Sequence, residues 1–311
     1  MTAPKIKVLF IGGCGRSGST LLDMMLGQVP GFFSAGELRH FWVRGFRENQ
    51  LCSCGAVFRE CALWSEVVRE AFGGFDGVDF EGVIAAQRAV DRLKHLFKVA
   101  RGTGSREFNS NLGRYGRESA RLYAAIGKVS GCTVIVDSSK TPTHGFFLKG
   151  LPEIDLSTVL LVRDSRAAAF SWMRRKSRPE IRGKNELMPR HSPVTSALVW
   201  NARNYFVELL GRTGSPLIKV RYEDLVAAPE KHLRDIVDFA APPAPPVFDF
   251  IEGHTLVAKS LHQIAGNPMR FHRGRIEIHN DDEWRSKMPA PARLAVTLLT
   301  FPWLAKHGYH W

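Results

Sequence analysis

Short apolar runs recur along this chain, and most are succeeded by a stretch with helical spacing. Residues 5–12 (KIKVLFIG) form the first such run, rich in β-branched side chains and closed by glycines, and they read as a buried strand. Over residues 19–28, Leu21, Leu22, Met25 and Leu26 repeat with the spacing of one helix face. The pattern then returns. Residues 132–136 read as a strand ending at Asp137, and residues 157–162 as a strand leading into a helix over about 165–176. Residues 216–220 are a further strand before a helix near 229–239, and 195–210 is a long helix. Residues 37–62 show little periodicity and read as loops or short helices over a sheet edge. Residues 80–100 and 114–128 read as helices, joined by a Gly-, Ser- and Asn-rich connector at 101–111 that is expected to be mobile. The APPAPP segment at 241–246 is a stiff break, and the residues after it are too few and too strand-poor for a separate domain.

Strands alternating with helices predict an α/β chain, a P-loop-like three-layer fold with a central parallel sheet and helices on both faces. Residues 1–311 are expected to form one domain, with 41–131 a mostly helical insertion that shapes an acceptor site. Ligands in this architecture sit beyond the carboxyl ends of the strands. That directs attention to residues 13–20, 137–141 and 163–171.

Charge narrows the partners. Among 311 residues, 43 Lys and Arg stand against 30 Asp and Glu, a net +13 that favours nucleotides, nucleic acid, anionic glycans or membrane headgroups without choosing among them. The N-terminal apolar run is broken by Lys7 and at once followed by glycines, and no run approaches the roughly 18 apolar residues of a membrane span. The chain is expected to be cytoplasmic, with at most peripheral membrane contact and with reduced thiols. Cys52, Cys54 and Cys61 fall close together, but CxC plus one Cys departs from the four-ligand spacing of zinc sites. The nearest further ligand in sequence is His40. The cluster is read as a structural staple, and no metal is expected.

The residues after the first strand are Gly12-Gly13-Cys14-Gly15-Arg16-Ser17-Gly18-Ser19-Thr20. Glycines let backbone N–H groups converge on an oxyanion, the next helix adds its positive end, and Arg16 with the hydroxyls adds donors. Gly13, Gly15 and Gly18 also satisfy GxGxxG, with Glu37 at a ribose-binding distance, although the loop's polar content is unusual for a dinucleotide turn. Read as a Walker A loop, it carries Ser19 where the lysine belongs, which disfavours a kinase or NTPase using residues 134–137 as a Walker B strand. A non-enzymatic basic anion-binding module is the third reading. It ranks last, since aromatics are not interleaved with the basic residues, and no nucleic acid is expected.

Residues 15–22, GRSGSTLL, resemble the 5′-phosphosulfate loop of 3′-phosphoadenosine 5′-phosphosulfate (PAPS)-dependent sulfotransferases, and PGFFSAGELR at 30–39 is similar to the following segment of their carbohydrate and tyrosylprotein branches. The stretch LLVRDSRAAAFS at 160–171 resembles the 3′-phosphate segment, and GNPMRF at 266–271 a C-terminal stretch of bacterial members. The resemblance implies PAPS as co-substrate without metal, held by Gly15, Arg16, Ser17, Gly18, Ser19, Thr20, Arg163, Ser171 and Arg270. It implies Glu37 as general base, with Arg16 and Lys140 stabilising transferred charge. Pro142 stands where the cytosolic branch has its catalytic His, so His144 and Asp137 are reserves. A glycan, glycolipid or other hydroxylated acceptor is expected, and oligomeric state is not legible.

Overall fold

The computed structural model describes residues 5–310 except 176, 178–179, 182–186 and 241–247. The APPAPP segment therefore lies outside the described residues. Five strands, β1 (Ile6–Gly12), β2 (Phe32–Gly36), β3 (Val134–Lys140), β4 (Ile154–Val162) and β5 (Leu217–Arg221), form one sheet in the order β2-β3-β1-β4-β5. Every pairing is parallel, with β1 in the middle. Along β1, Val8 and Phe10 enter one core while Leu9 and Ile11 enter another on the opposite face. Burial on both faces is why these strands read as unbroken apolar runs rather than as alternating ones.

Twelve α-helices succeed one another along the chain: α1 (Ser19–Leu26), α2 (Ala62–Phe72), α3 (Phe80–Val90), α4 (Leu96–Arg101), α5 (Arg106–Ser130), α6 (Pro142–Lys149), α7 (Ser165–Met173), α8 (Pro193–Arg212), α9 (Tyr222–Ala227), α10 (Pro229–Phe239), α11 (Trp284–Lys287) and α12 (Ala290–Lys306), counted among the described residues. Side chains of α5, α6 and α8 share the core of Phe10; those of α1, α9 and α10 share the core of Leu9. The α/β fold with a central parallel sheet is thus present. None of the described helices is long and apolar enough to cross a membrane.

The aromatic residues of 41–75 do not build a core of their own. Phe41, Trp42, Phe46, Phe58 and Trp64 are buried in the same cluster as Val8, Phe10 and Ile135. The Phe41 ring centroid is 5.1 Å from that of Trp42 and 5.4 Å from that of Phe58, both near perpendicular, the edge-to-face geometry aromatic pairs favour.

Three expectations are corrected. The helix predicted over 80–100 breaks after Val90, where the buried Asp91 carboxylate takes the Arg39 guanidinium at 2.5 Å instead of continuing the turn. The connector at 101–111 is largely helix: Ser105 Oγ accepts the Phe108 N–H at 3.1 Å and caps α5 from Arg106 onward, the role serine favours at a helix start. The C-terminal region is not strand-poor. It carries an antiparallel sheet of β6 (Ile251–Glu252), β7 (Thr255–Ala258) and β8 (Gly274–Glu277). Leu256 and Ile276 bury its inner face against the core of α1 and α10. Strands of two to four residues leave almost no periodic signal.

Candidate active site

The loop between β1 and α1 is shaped by backbone that few side chains tolerate. Gly13 has φ 127°, and a Cβ there would lie 2.5 Å from the Leu161 carbonyl oxygen. Gly18, at the cap of α1, has φ 86°, and a Cβ would meet the Tyr222 ring at 2.3 Å. Arg16 itself sits at φ 72°. Its guanidinium lies 4.8 Å over the Trp172 ring, and Trp172 Nε1 donates to the Gly15 carbonyl at 3.2 Å. Burial lowers the Arg16 pKa, partly opposed by the nearby Glu37 carboxylate. The buried Arg16 Nε and Ser17 Oγ have no hydrogen-bond partner among the described residues. Buried donors left open at a strand–loop–helix junction suit an anionic ligand.

Arg163 succeeds β4 and reaches this loop. One of its amino groups donates to the Arg16 carbonyl at 3.2 Å and the other to the Asp281 carbonyl at 3.2 Å, while the guanidinium stacks 4.6 Å from the Tyr222 ring centre. Asp164 does not pair with Arg163; its carboxylate is taken by Arg166 at 2.9 and 2.7 Å. Arg163 Nε is a third buried donor without a partner among the described residues. Ser171 is buried in α7 beside Trp172, but no hydrogen bond among the described residues joins it to Arg163.

On the other side of the loop, Glu37 leaves the end of β2 and Lys140 ends β3. Lys140 Nζ donates to Glu37 Oε1 at 2.6 Å and to the Ser138 carbonyl at 3.0 Å, both side chains being largely buried. Lys140 is held at φ 66°, so two of the three described non-glycine residues with left-handed backbone are the cations of this site. Burial alone would raise the Glu37 pKa, but Lys140 above all, with His40 and Arg44, overrides it and brings the carboxyl to about 2. The reserve bases are engaged elsewhere. Asp137 accepts from Tyr123 at 2.5 Å, from His144 Nε2 at 2.9 Å, and from the Ser139 backbone at 2.9 Å and its hydroxyl. Four bonds use up both carboxylate oxygens of a residue with no exposed surface.

A C-terminal strap, residues 261–271, closes the arrangement. The Ile264 N–H donates to the Ala35 carbonyl at 3.2 Å, and the Glu37 N–H to the Ala265 carbonyl at 3.3 Å. A Cβ on Gly266 would lie 3.6 Å from Thr20 Oγ1 and 3.8 Å from Glu37 Oε1, and the Asn267 N–H donates to Thr20 Oγ1 at 3.3 Å. Arg270 is buried, which lowers its pKa to about 10, and it bonds the Gly266 carbonyl at 3.1 Å and the Leu51 carbonyl at 3.3 Å. It braces the strap against the insertion.

The structure therefore gathers residues 15–20, Arg16, Glu37, Lys140, Arg163 and the strap around one loop. It adds Tyr222, and with it Trp172, Arg203 and Arg44, which no motif singles out. Tyr222 packs on Gly18 and Arg163 and Trp172 on Arg16; Arg203 Nη1 would be 3.6 Å from a Gly15 Cβ, and Arg44 acts on Glu37. His40 is not with the cysteines: its Nε2 is 3.5 Å from Glu37 Oε2, at the edge of a cavity of about 270 Å³ lined by Arg39, Gln87, Arg88 and Asp91. A second cavity, about 730 Å³, lies between Arg166, Trp284 and α12.

Residues 9–246 match the profile described as "Sulfotransferase family". A search of curated sequences finds no match. In structure the chain is similar to the sulfotransferase domain of the Synechococcus PCC 7002 olefin synthase, with 24% identity and a TM-score of 0.53 over 97% of this chain and 96% of that one. It is also similar to the sulfotransferase domain of the curacin biosynthetic pathway, with 18% identity and a TM-score of 0.50 over 100% of this chain and 99% of that one. At such identities the likeness is one of fold.

Proposed function

Because the chain belongs to the sulfotransferase family, we propose that it transfers a sulfuryl group from 3′-phosphoadenosine 5′-phosphosulfate to an acceptor hydroxyl. The observation that supports this reading is the reach of Arg163 across to the Arg16 carbonyl, 3.2 Å, which joins the segment after β4 to the loop after β1. Arg16 Nε, Ser17 Oγ and Arg163 Nε, without a hydrogen-bond partner among the described residues, fit a ligand with a phosphate at one end and a phosphosulfate at the other. The loop residues Gly15, Gly18, Ser19 and Thr20 would hold the phosphosulfate through backbone and hydroxyl donors; Arg163 and Ser171 would hold the 3′-phosphate.

Sulfuryl transfer, like phosphoryl transfer, is a loose in-line displacement in which charge spreads over oxygens. The acceptor oxygen forms the new bond to sulfur, and the old bond to the 5′-phosphate breaks with its electron pair on the bisphosphate. Glu37 takes the proton of the acceptor hydroxyl, and Lys140 and Arg16 meet the developing negative charge. At a pKa of about 2 the paired Glu37 is a weak base. Once Lys140 turns to the transferred group, its hold on Glu37 weakens and the carboxylate becomes more basic. The ion pair is thus a resting lock on both groups. The cavity at His40, with Arg39 and Arg88, adjoins Glu37 and suits an oxygen-rich acceptor such as a glycan or glycolipid, with the insertion forming its wall. A kinase or NTPase is disfavoured by the saturated Asp137 as well as by Ser19 in the loop.

Isothermal titration with adenosine 3′,5′-bisphosphate, ATP and NAD tests the reading. The bisphosphate should bind alone of the three, and Arg16→Ala or Arg163→Ala should each weaken it by about 100-fold, the loss of charge-assisted hydrogen bonds worth roughly 3 kcal/mol. Undiminished binding in both variants, or preference for ATP, would overturn it.

A further inference from the structure

The cysteine cluster finds its fourth partner far along the chain. Cys52, Cys54, Cys61 and His262 each offer one ligand atom, and all four atoms lie within 4.8 Å of one another. Cys61 Sγ is 3.3 Å and Cys52 Sγ 3.9 Å from His262 Nδ1, and Cys54 Sγ is 3.7 Å from Cys61 Sγ. None of the cysteines is in a disulfide. A tetrahedral zinc site, with Zn–S about 2.3 Å and Zn–N about 2.0–2.1 Å, has edges of about 3.5–3.8 Å between ligand atoms. Three of the six edges, at 3.3, 3.7 and 3.9 Å, are already close to those of such a tetrahedron, and no two ligand atoms are more than 4.8 Å apart.

We propose that Cys52, Cys54, Cys61 and His262 bind one zinc ion, and that this ion anchors the strap that closes over the candidate active site. Three sulfurs and an imidazole select a borderline-soft tetrahedral cation over magnesium or calcium, which require oxygen ligands. Four protein ligands fill the coordination shell, so the ion is structural and takes no part in transfer.

The chain is folded to present these atoms. In the Cys-Ser-Cys-Gly turn, Gly55 takes φ 97°, and its N–H closes on the Cys52 carbonyl at 2.9 Å. Ser53 lies between the two ligands and zips the turn to the histidine strand. Its Oγ donates to the Leu261 carbonyl at 2.7 Å and accepts the Gln263 N–H at 2.8 Å, and its own N–H donates to the Gln263 carbonyl at 3.0 Å. Trp64 Nε1 holds the His262 carbonyl at 2.7 Å. Flanked on both sides, His262 turns Nδ1 to the sulfurs. With three thiolates and a neutral imidazole the bound centre carries one net negative charge; Arg273, whose guanidinium donates to the Cys54 carbonyl at 2.6 Å, is the adjacent counter-charge.

Two residues beyond His262 the strap pairs with β2, and four beyond it Gly266 faces Thr20 and Glu37. The ion therefore fixes the insertion to the strap just before the strap reaches the site. This holds whatever donor the loop binds.

Zinc content of the full chain as purified, by plasma mass spectrometry, should be one per chain. Cobalt substitution should give the intense visible bands of a tetrahedral thiolate site. Cys61→Ser and His262→Ala should each lose the ion, while Cys132→Ser should retain it. Chelation should lower Tm and speed hydrogen exchange in 261–271 but not in β1. Wild-type protein with five titratable thiols, no zinc and no cobalt uptake would overturn the proposal, as would a Cys disulfide or full zinc in both ligand variants. If those variants fail to fold, the wild-type metal content and cobalt spectrum decide.

Discussion

The loop after β1 and the Cys-Ser-Cys-Gly turn solve one problem in opposite ways. Each brings polar groups to a point with the help of a left-handed glycine, Gly18 at φ 86° and Gly55 at φ 97°. The loop grows from the carboxyl end of the central strand, and parallel neighbours deliver Lys140 and Arg163 to it as strand ends. The turn has no sheet beneath it. It is completed by His262, 210 positions from Cys52. A strand-end site inherits its geometry from the sheet, whereas the turn draws its fourth group from a segment outside that sheet.

Three substitutions would sharpen or break that contrast. The largest effect is expected at the loop's chemical edge. Glu37→Gln should cut kcat by about 10²–10⁴ while leaving the affinity for adenosine 3′,5′-bisphosphate within about threefold; a kcat near wild type would remove Glu37 as the base. Gly18→Ala should destabilise the fold by about 2–4 kcal/mol in urea unfolding, because a strained φ adds to collision with the Tyr222 ring. That collision also disturbs the stack on Arg163, so bisphosphate affinity should fall with it. Gly55→Ala should cost only about 1–2 kcal/mol, since a Cβ there meets nothing nearer than Arg273 Nη2 at 3.8 Å. Equal costs at 18 and 55 would mean that the two glycines are retained for conformation alone and not, at 18, for packing.

Legibility in the sequence divides along the same line. Strands β1, β3 and β4 are legible because burial on both faces writes them as apolar runs, β5, with its exposed Lys219, only as a short run, and the loop because its glycines lie close together in sequence. The partner of the cysteines was not legible: His40 is nearer in sequence, yet it faces Glu37, and only the pairing of the strap with β2 carries His262 to the turn. Arg44 and Arg203 were missed for a similar reason, since their place depends on how α8 and the insertion pack and not on any local spacing. The break at Asp91 and the start of α5 at Arg106 leave no periodic signal: Asp91 bonds Arg39 across the fold, and the Ser105 side chain caps the helix that follows it.

Arg16 at φ 72° and Lys140 at φ 66° carry a consequence for engineering. Glycine at either position would relieve about 1–2 kcal/mol of backbone strain and would delete a cation of the site. Endurance and turnover thus pull against each other at two identifiable positions. A directed-evolution campaign screened on heat tolerance alone would be rewarded for discarding the two proposed charge stabilisers, so libraries should hold positions 16 and 140 constant.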